Sequence, residues 1–236
     1  MRQRYGYEST YRPPSVAVLG DDARSRFITK TYNHLCGAVF GFVLIEWMLF
    51  TSGLAEVLAA AMMGTSWLLV LGGFMLVSWL ASRVAGQSAS LGAQYLALAG
   101  FVVAEAVIFV PLLYMAQFYA GGGVIESAAT VTVLGFIGLT AIAFWTRRDF
   151  SFLGALLRWV GMLALVAITS AVLFGFELGT WFSIAMIGVA GGAILFDTSN
   201  VIHHYPEDRY VGAALQLFAS VALLFWYVLR LFMARD

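Results

Sequence analysis

Cysteine and charged residues are both scarce in this sequence of 236 residues. The lone cysteine, Cys36, excludes an internal disulfide and a cysteine-based metal site, and its apolar neighbours indicate a small buried hydrophobic residue. Only 11% of the residues are charged, whereas soluble domains contain about 25%. The formal net charge is zero, which argues against a nucleic-acid partner. These scarcities exclude a disulfide-stabilised scaffold and leave little mass for a soluble domain.

Signature motifs of phosphate-binding and hydrolytic enzymes are also absent from the sequence. It contains no Gly-x-Gly-x-x-Gly fingerprint, no Walker pattern and no Gly-x-Ser-x-Gly elbow. A serine–histidine pair or an aspartate pair placed as in an intramembrane enzyme is missing too. We therefore expect neither an enzyme nor a cofactor.

Apolar sequence is abundant, since 61% of the residues are hydrophobic. Seven runs are long enough to cross about 30 Å of hydrocarbon, and short polar or glycine-rich breaks separate them. Short connections place neighbouring helices antiparallel in a single membrane domain. The sequence predicts an all-α, polytopic membrane protein with spans at about 32–52, 59–82, 89–111, 124–146, 152–175, 181–202 and 211–233.

Positive charge is concentrated in residues 1–30, which we expect to form a basic, exposed and flexible tail before a transmembrane domain at 31–236. An apolar core close to the start, as in a cleavable signal peptide, is not seen. Loops on the side of the tail also carry arginine, whereas the opposite loops carry no Lys or Arg. The positive-inside rule then predicts a cytoplasmic N-terminus and, with seven crossings, a C-terminus on the far side. A re-entrant or split run would change that topology.

Carboxylates interrupt three of the apolar runs, with Glu46 in the first, Glu105 in the third and Asp197 in the sixth. Placing such a group in a membrane helix costs about 2.5–3.5 kcal/mol on insertion scales, which favours a functional role. Asp197 lies only about 7–8 Å from the end of its predicted helix, so solvation at the interface is the alternative. Glu105 shares a helix face with Gln94, and Ser220 shares one with Gln216 and Tyr227. These polar stripes either line a pathway or fix helix register.

The paired histidines His203 and His204 lie near Glu207 and Asp208, a combination that invites a metal-site interpretation. A third ligand at matching spacing is missing, so a solvated loop is the simpler interpretation and we predict no metal site.

Two stretches resemble a known family. Residues 146–154, TRRDFSFLG, are similar to the TxRDxSFLG junction between the fourth and fifth helices of the transmembrane Bax inhibitor motif family. Residues 193–203, AILFDTSNVIH, resemble the end of its sixth helix, most closely in the bacterial YccA-like branch, which includes a modulator of the FtsH protease.

The resemblance implies seven helices, six of them wrapped around a central seventh, in the inner (plasma) membrane. For some members it implies a pH-sensitive calcium leak controlled by two aspartates, one on the sixth helix and one on the seventh. Asp197 matches the first aspartate, but Ser220 stands where the second would be. The departure removes a pair of groups that would titrate together and puts that gate in doubt.

Two functions remain open from the sequence. In the first, Asp197, Glu105, Ser220 and Glu46 line a pathway for calcium or protons, because carboxylates are suitable oxygen ligands for calcium. In the second, the chain conducts nothing and regulates a membrane-bound AAA protease of the FtsH type, or a translocon, through its tail and helix surfaces. We favour the first, with the lipid bilayer as its surroundings.

Overall fold

The computed structural model describes residues 14–87 and 90–234, and all regular structure in those ranges is helical. A short 3-10 helix at Val16–Val18 precedes eight α-helices. Seven of the eight, all except α2, are long and apolar enough to cross a membrane, which confirms the expected all-α, seven-span fold. The helices are α1 (Asp21–Thr51), α2 (Leu54–Met63), α3 (Trp67–Gln87), α4 (Leu91–Tyr119), α5 (Val124–Thr146), α6 (Leu153–Phe174), α7 (Gly179–His203) and α8 (Tyr210–Met233).

The first helix begins at Asp21, well before the expected start at residue 32. Asp21 and Asp22 occupy its first turn, where negative charge is favoured by the helix dipole. A polar sequence therefore continues the helix beyond the apolar run. Residues 1–13 of the expected tail lie outside the described residues, but residues 14–30 are folded, so flexibility there was a wrong prediction. The boundary between a tail at residues 1–30 and a transmembrane domain at residues 31–236 stays a prediction.

Two further helix boundaries differ from those expected. The predicted span at 59–82 is broken, because α2 ends at Met63 with Gly64 as its C-cap and α3 begins at Trp67. The Ser66 carbonyl accepts the Leu69 amide at 2.9 Å in the first turn of α3. The span predicted to stop at residue 111 instead continues through Pro111 to Tyr119. Membrane helices tolerate an internal proline because neighbouring groups satisfy the freed backbone carbonyl.

The centre of the bundle is formed by α8 and α4. Of the most apolar stretch of each span, 67% is buried in α8 and 61% in α4, against 22% or less in the others. Helix α8 packs against α1, α3, α4, α5 and α7, whereas α6 packs against α7 and α3. An arrangement of six spans wrapped around the last one stays a prediction.

Aromatic rings and small residues determine how closely α8 packs. Phe109 of α4 packs edge-on against Phe42 of α1 at 5.2 Å and stacks on Phe225 of α8 at 5.6 Å. Near the start of α8, Gly212 lies so close to α3 that a Cβ would be 2.7 Å from the Ala85 carbonyl oxygen. Glycine therefore permits this close approach.

The outer helix faces present large apolar side chains, as expected of a surface in contact with lipid. The 18-residue apolar stretch of α6 is only 6% buried. Cys36 lies on such a face of α1 and is exposed, so the prediction of burial was wrong. An apolar neighbourhood in the sequence fits a lipid-facing position as well as a buried one.

We call the end of the bundle where α1 begins the tail side. Helices α5 and α7 end there, since contacts join residues 14–16 and 150 to the last turn of α7 and the connection after it. The opposite end carries the α6–α7 connection.

Candidate functional site

A buried carboxylate–hydroxyl pair joins α7 to the central helix α8. Asp197 lies in the last two turns of α7, and both Asp197 and Ser220 are only 7% exposed. The Ser220 hydroxyl donates to Oδ2 of Asp197 at 2.5 Å. Ser220 therefore faces Asp197 as expected. Asp197 is buried within the bundle, whereas a side chain solvated by lipid headgroups would be exposed. Among the described residues Asp197 has no ion-pair partner.

Neutral polar groups surround this pair on α7. Thr198 and Ser199 are fully buried. The Ser199 hydroxyl accepts the Phe150 amide at 2.9 Å, which attaches the α5–α6 connection to α7. The Tyr32 hydroxyl of α1 lies beside the hydroxyls of Thr198 and Thr140. Sequence reasoning missed this hydroxyl cluster, because single Thr and Tyr residues in apolar runs give no distinctive signal.

An open cavity of about 1160 Å³ lies between α3, α4, α6, α7 and α8. Glu105 and Ser220 both line it, and Ser78 and Ser183 add hydroxyl groups to a wall that is otherwise mostly apolar. Asp197 is not among the lining residues and lies behind Ser220. The cavity also reaches Glu177 of the α6–α7 connection, at the end opposite the tail side. It thus connects that end with the Ser220–Asp197 pair.

The two remaining acidic candidates differ in their surroundings. Glu105 is 6% exposed and borders the cavity, and within the described chain its carboxylate has no hydrogen bond or ion pair. Glu46 is 7% exposed, and neither of its carboxylate oxygens has a hydrogen-bond partner in the described ranges. Glu46 does not line the cavity. The structure therefore brings Glu105, Ser220 and Asp197 to one region and leaves Glu46 apart on α1.

On the tail side, the segment before α1 covers the connection between α7 and α8. The Ser15 hydroxyl donates to the His203 carbonyl at 2.8 Å, and the Val16 amide donates to the Tyr205 carbonyl at 2.9 Å. The Val16 side chain is completely buried. Burial raises the pKa of the Tyr205 hydroxyl, and the nearby Asp197 carboxylate raises it further. Val16 and Tyr205 therefore close the tail side next to Asp197.

An exposed side-chain contact between His204 and Asp149 links the two stretches that carry the family resemblance. His204 Nε2 lies 3.1 Å from both carboxylate oxygens of Asp149, and the Ser151 amide donates to Asp149 at 2.8 Å. The Ser151 amide, and next the His204 ring, lower the pKa of Asp149 to about 2. His203 contacts the Ser199 carbonyl at 3.0 Å. Each histidine thus has a partner within the protein, and the described ranges contain no group of three or more potential metal ligands.

Comparisons with known proteins agree with the resemblance in the sequence. A family model described as inhibitor of apoptosis-promoting Bax1 matches residues 24–236. Protein LIFEGUARD 4 of Arabidopsis thaliana is 32% identical over 126 residues, 50% of each chain. The modulator of FtsH protease YccA of Escherichia coli strain K12 is 34% identical over 118 residues, 49% of this chain and 53% of its own. The chain spans about half the length of the curated relatives it matches.

Proposed function

Because the chain belongs to the family of inhibitors of apoptosis-promoting Bax1, we propose that this membrane protein provides a pH-influenced leak pathway for calcium ions or protons. The observation that carries the proposal is the open cavity that reaches Glu105 and the Ser220–Asp197 pair. A relative from Escherichia coli is named inner membrane protein YccA and is 34% identical over 118 residues, which supports the same location for this chain.

The proposed route begins at the end of the bundle that carries Glu177. A cation then meets the Glu105 carboxylate, which has no partner among the described residues, and next the Ser220 hydroxyl. Carboxylate and hydroxyl oxygens are suitable ligands for calcium, and intramembrane carboxylates also serve as proton relays. Asp197 accepts from Ser220 and is the last acidic group before the tail side. Val16 and Tyr205 pack together at the tail side, so the proposed route requires this contact to open.

A single aspartate at the gate has a consequence for pH dependence. Two coupled carboxylates titrate in two macroscopic steps, whereas Asp197 faces the neutral Ser220 hydroxyl. We therefore expect a one-proton response. Glu46 does not line the cavity and enters this proposal only as a buried acid whose removal we expect to change stability more than flux.

Flux through purified protein in liposomes tests the pathway. We expect Glu105→Gln to lower calcium flux by roughly tenfold to a hundredfold, because the loss of one charged ligand corresponds to roughly 1.5–3 kcal/mol. Glu126→Gln is the matched control, since Glu126 is exposed in the first turn of α5 and outside the cavity. Wild-type flux no greater than that of protein-free liposomes, or equal losses in both variants, would refute the pathway.

A second function is favoured by one relative, whose name describes a modulator of FtsH protease. Under this alternative, the chain changes the activity of a membrane-bound AAA protease without conducting ions. Reconstituting such a protease with and without the protein, and following degradation of a membrane substrate, measures the effect. Modulation that is equal in wild type and Glu105→Gln, without ion flux in either, would favour this function over the leak.

A further inference from the structure

A second cavity, of about 460 Å³, lies on the tail side between the start of α1, the end of α5 and the end of α7. We call it the tail-side pocket. It is separate from the cavity that contains Glu105, because the two have no lining residue in common. Its lining consists of Asp21, Arg24, Ser25, Ile28, Thr29, Phe144, Arg147 and Ile202.

Two cationic side chains and two hydroxyls line this pocket. Arg24 comes from the first turns of α1, and Arg147 directly follows α5. Neither arginine forms an ion pair or a side-chain hydrogen bond within residues 14–87 and 90–234. Ser25 and Thr29 are one turn apart on α1 and add hydroxyl donors. Such a set of donors suits a phosphate group, since arginine binds phosphate oxygens through two parallel hydrogen bonds.

The N-terminus of helix α1 adds to the positive potential that Arg24 and Arg147 give the pocket. Its N-cap residue, Gly20, provides no side-chain hydrogen bond to the first turn. Free amides at the start of a helix, together with its dipole, favour an anion nearby. Asp21 also lines the pocket and opposes an anion, but it is one carboxylate against two guanidinium groups.

The surroundings place the pocket at the level of lipid headgroups. The Trp145 side chain, two residues before Arg147, is 90% exposed, and Phe152 is 68% exposed. Exposed aromatic residues at helix ends are typical of the membrane–water interface. Ile28, Phe144 and Ile202 give the pocket an apolar part beside its charged part. A ligand with a phosphate group and acyl chains would contact both.

We propose that the tail-side pocket binds a phosphate group, held by Arg24 and Arg147 with Ser25 and Thr29, and supplied by an anionic phospholipid. A free phosphate ion has the same charged chemistry but would leave the apolar residues without a contact. The site is independent of ion conduction, and its test needs no measurement of flux.

Native mass spectrometry of the full chain in detergent, titrated with phosphatidylglycerol or phosphatidylcholine, measures this binding. We expect wild type to retain one phosphatidylglycerol more tightly than phosphatidylcholine. Arg24→Gln and Arg147→Gln should each weaken retention roughly fivefold to tenfold, in line with the contribution of one basic residue near a membrane surface. Arg148→Gln is the matched control, because Arg148 carries the same charge, is exposed and does not line the pocket.

Two further arms complete the test. Asp21→Asn should tighten retention, because it removes the carboxylate that opposes the ligand, and this gain does not depend on the folding of the arginine variants. Added inorganic phosphate distinguishes the sources: displacement of the lipid by millimolar phosphate assigns the pocket to a soluble ion, and its failure to displace assigns it to a lipid. Equal retention by Arg147→Gln and Arg148→Gln, or no preference for phosphatidylglycerol, would overturn the proposal.

Discussion

Replacing Gly212 by alanine tests the closest approach between the central helix and α3. The added Cβ would lie 2.7 Å from the Ala85 carbonyl oxygen and 3.1 Å from its carbonyl carbon. Ordinary contact begins at 3.4 Å, so the two backbones must separate by about 0.7 Å. A backbone carbonyl within a helix has no rotamer into which it can move away. We expect overpacking to cost about 1–3 kcal/mol, offset by up to about 1 kcal/mol of helix propensity.

Reversible unfolding in mixed micelles measures the resulting free energy of unfolding. Gly161→Ala is the matched control, because a Cβ at Gly161 of α6 meets nothing within 4 Å. We expect Gly161→Ala to be neutral or stabilising and Gly212→Ala to be less stable than Gly161→Ala by about 1–3 kcal/mol, since both gain the same helix propensity. A Gly212→Ala protein as stable as Gly161→Ala would refute the close packing of α8 on α3.

Three other outcomes follow from the contacts described. Ser220→Ala should lower the free energy of unfolding by about 1–3 kcal/mol, because the buried Asp197 carboxylate loses its hydrogen-bond donor. The loss should be smaller in an Asp197→Asn background, and equal losses in both backgrounds would contradict the hydrogen bond. Val16→Asp should detach the segment before α1, because Val16 is fully buried, and limited proteolysis should then cleave this segment faster. Val18→Asp is the control, since Val18 is 74% exposed and its replacement should leave the rate of cleavage unchanged. The lowered pKa of Asp149 contributes stability that is present above the ordinary pKa of 3.8 and lost as pH falls through about 2. Wild type should therefore be more stable than Asp149→Asn at neutral pH by a small, solvent-screened amount, and this difference should disappear in strong acid. A difference in stability that does not change with pH would contradict that assignment.

The spans could be predicted from the sequence because membrane helices need long apolar runs, and seven such runs exist. Their ends could not. Hydropathy reports the residues at membrane level, so it missed the polar first turns of α1 after Asp21. Apolar character alone also hid the break at Gly64, and it did not predict that α4 continues through Pro111 to Tyr119. The exposure of Cys36 shows the same limit, because lipid-facing and buried positions are both apolar.

The candidate site was predicted in part. The family resemblance placed Ser220 opposite Asp197, and the two side chains are hydrogen-bonded. The shared cavity of Glu105 and Ser220 depends on how α3, α4, α6, α7 and α8 pack, which no pattern in a single sequence specifies. The same holds for the cover formed by Val16 over Tyr205, because that contact joins residues far apart in the chain.

The measurement that tests the leak most directly is calcium and proton flux in liposomes from about pH 5 to about pH 8, compared between wild type, Asp197→Asn and Ser220→Asp. We expect the gate of wild type to titrate as one group and Asp197→Asn to lose that transition. Ser220→Asp should respond in two steps over a wider pH range, because it creates a coupled pair of carboxylates. Identical pH profiles for wild type and Asp197→Asn, in proteins shown to be folded, would contradict the role of Asp197 as the gate.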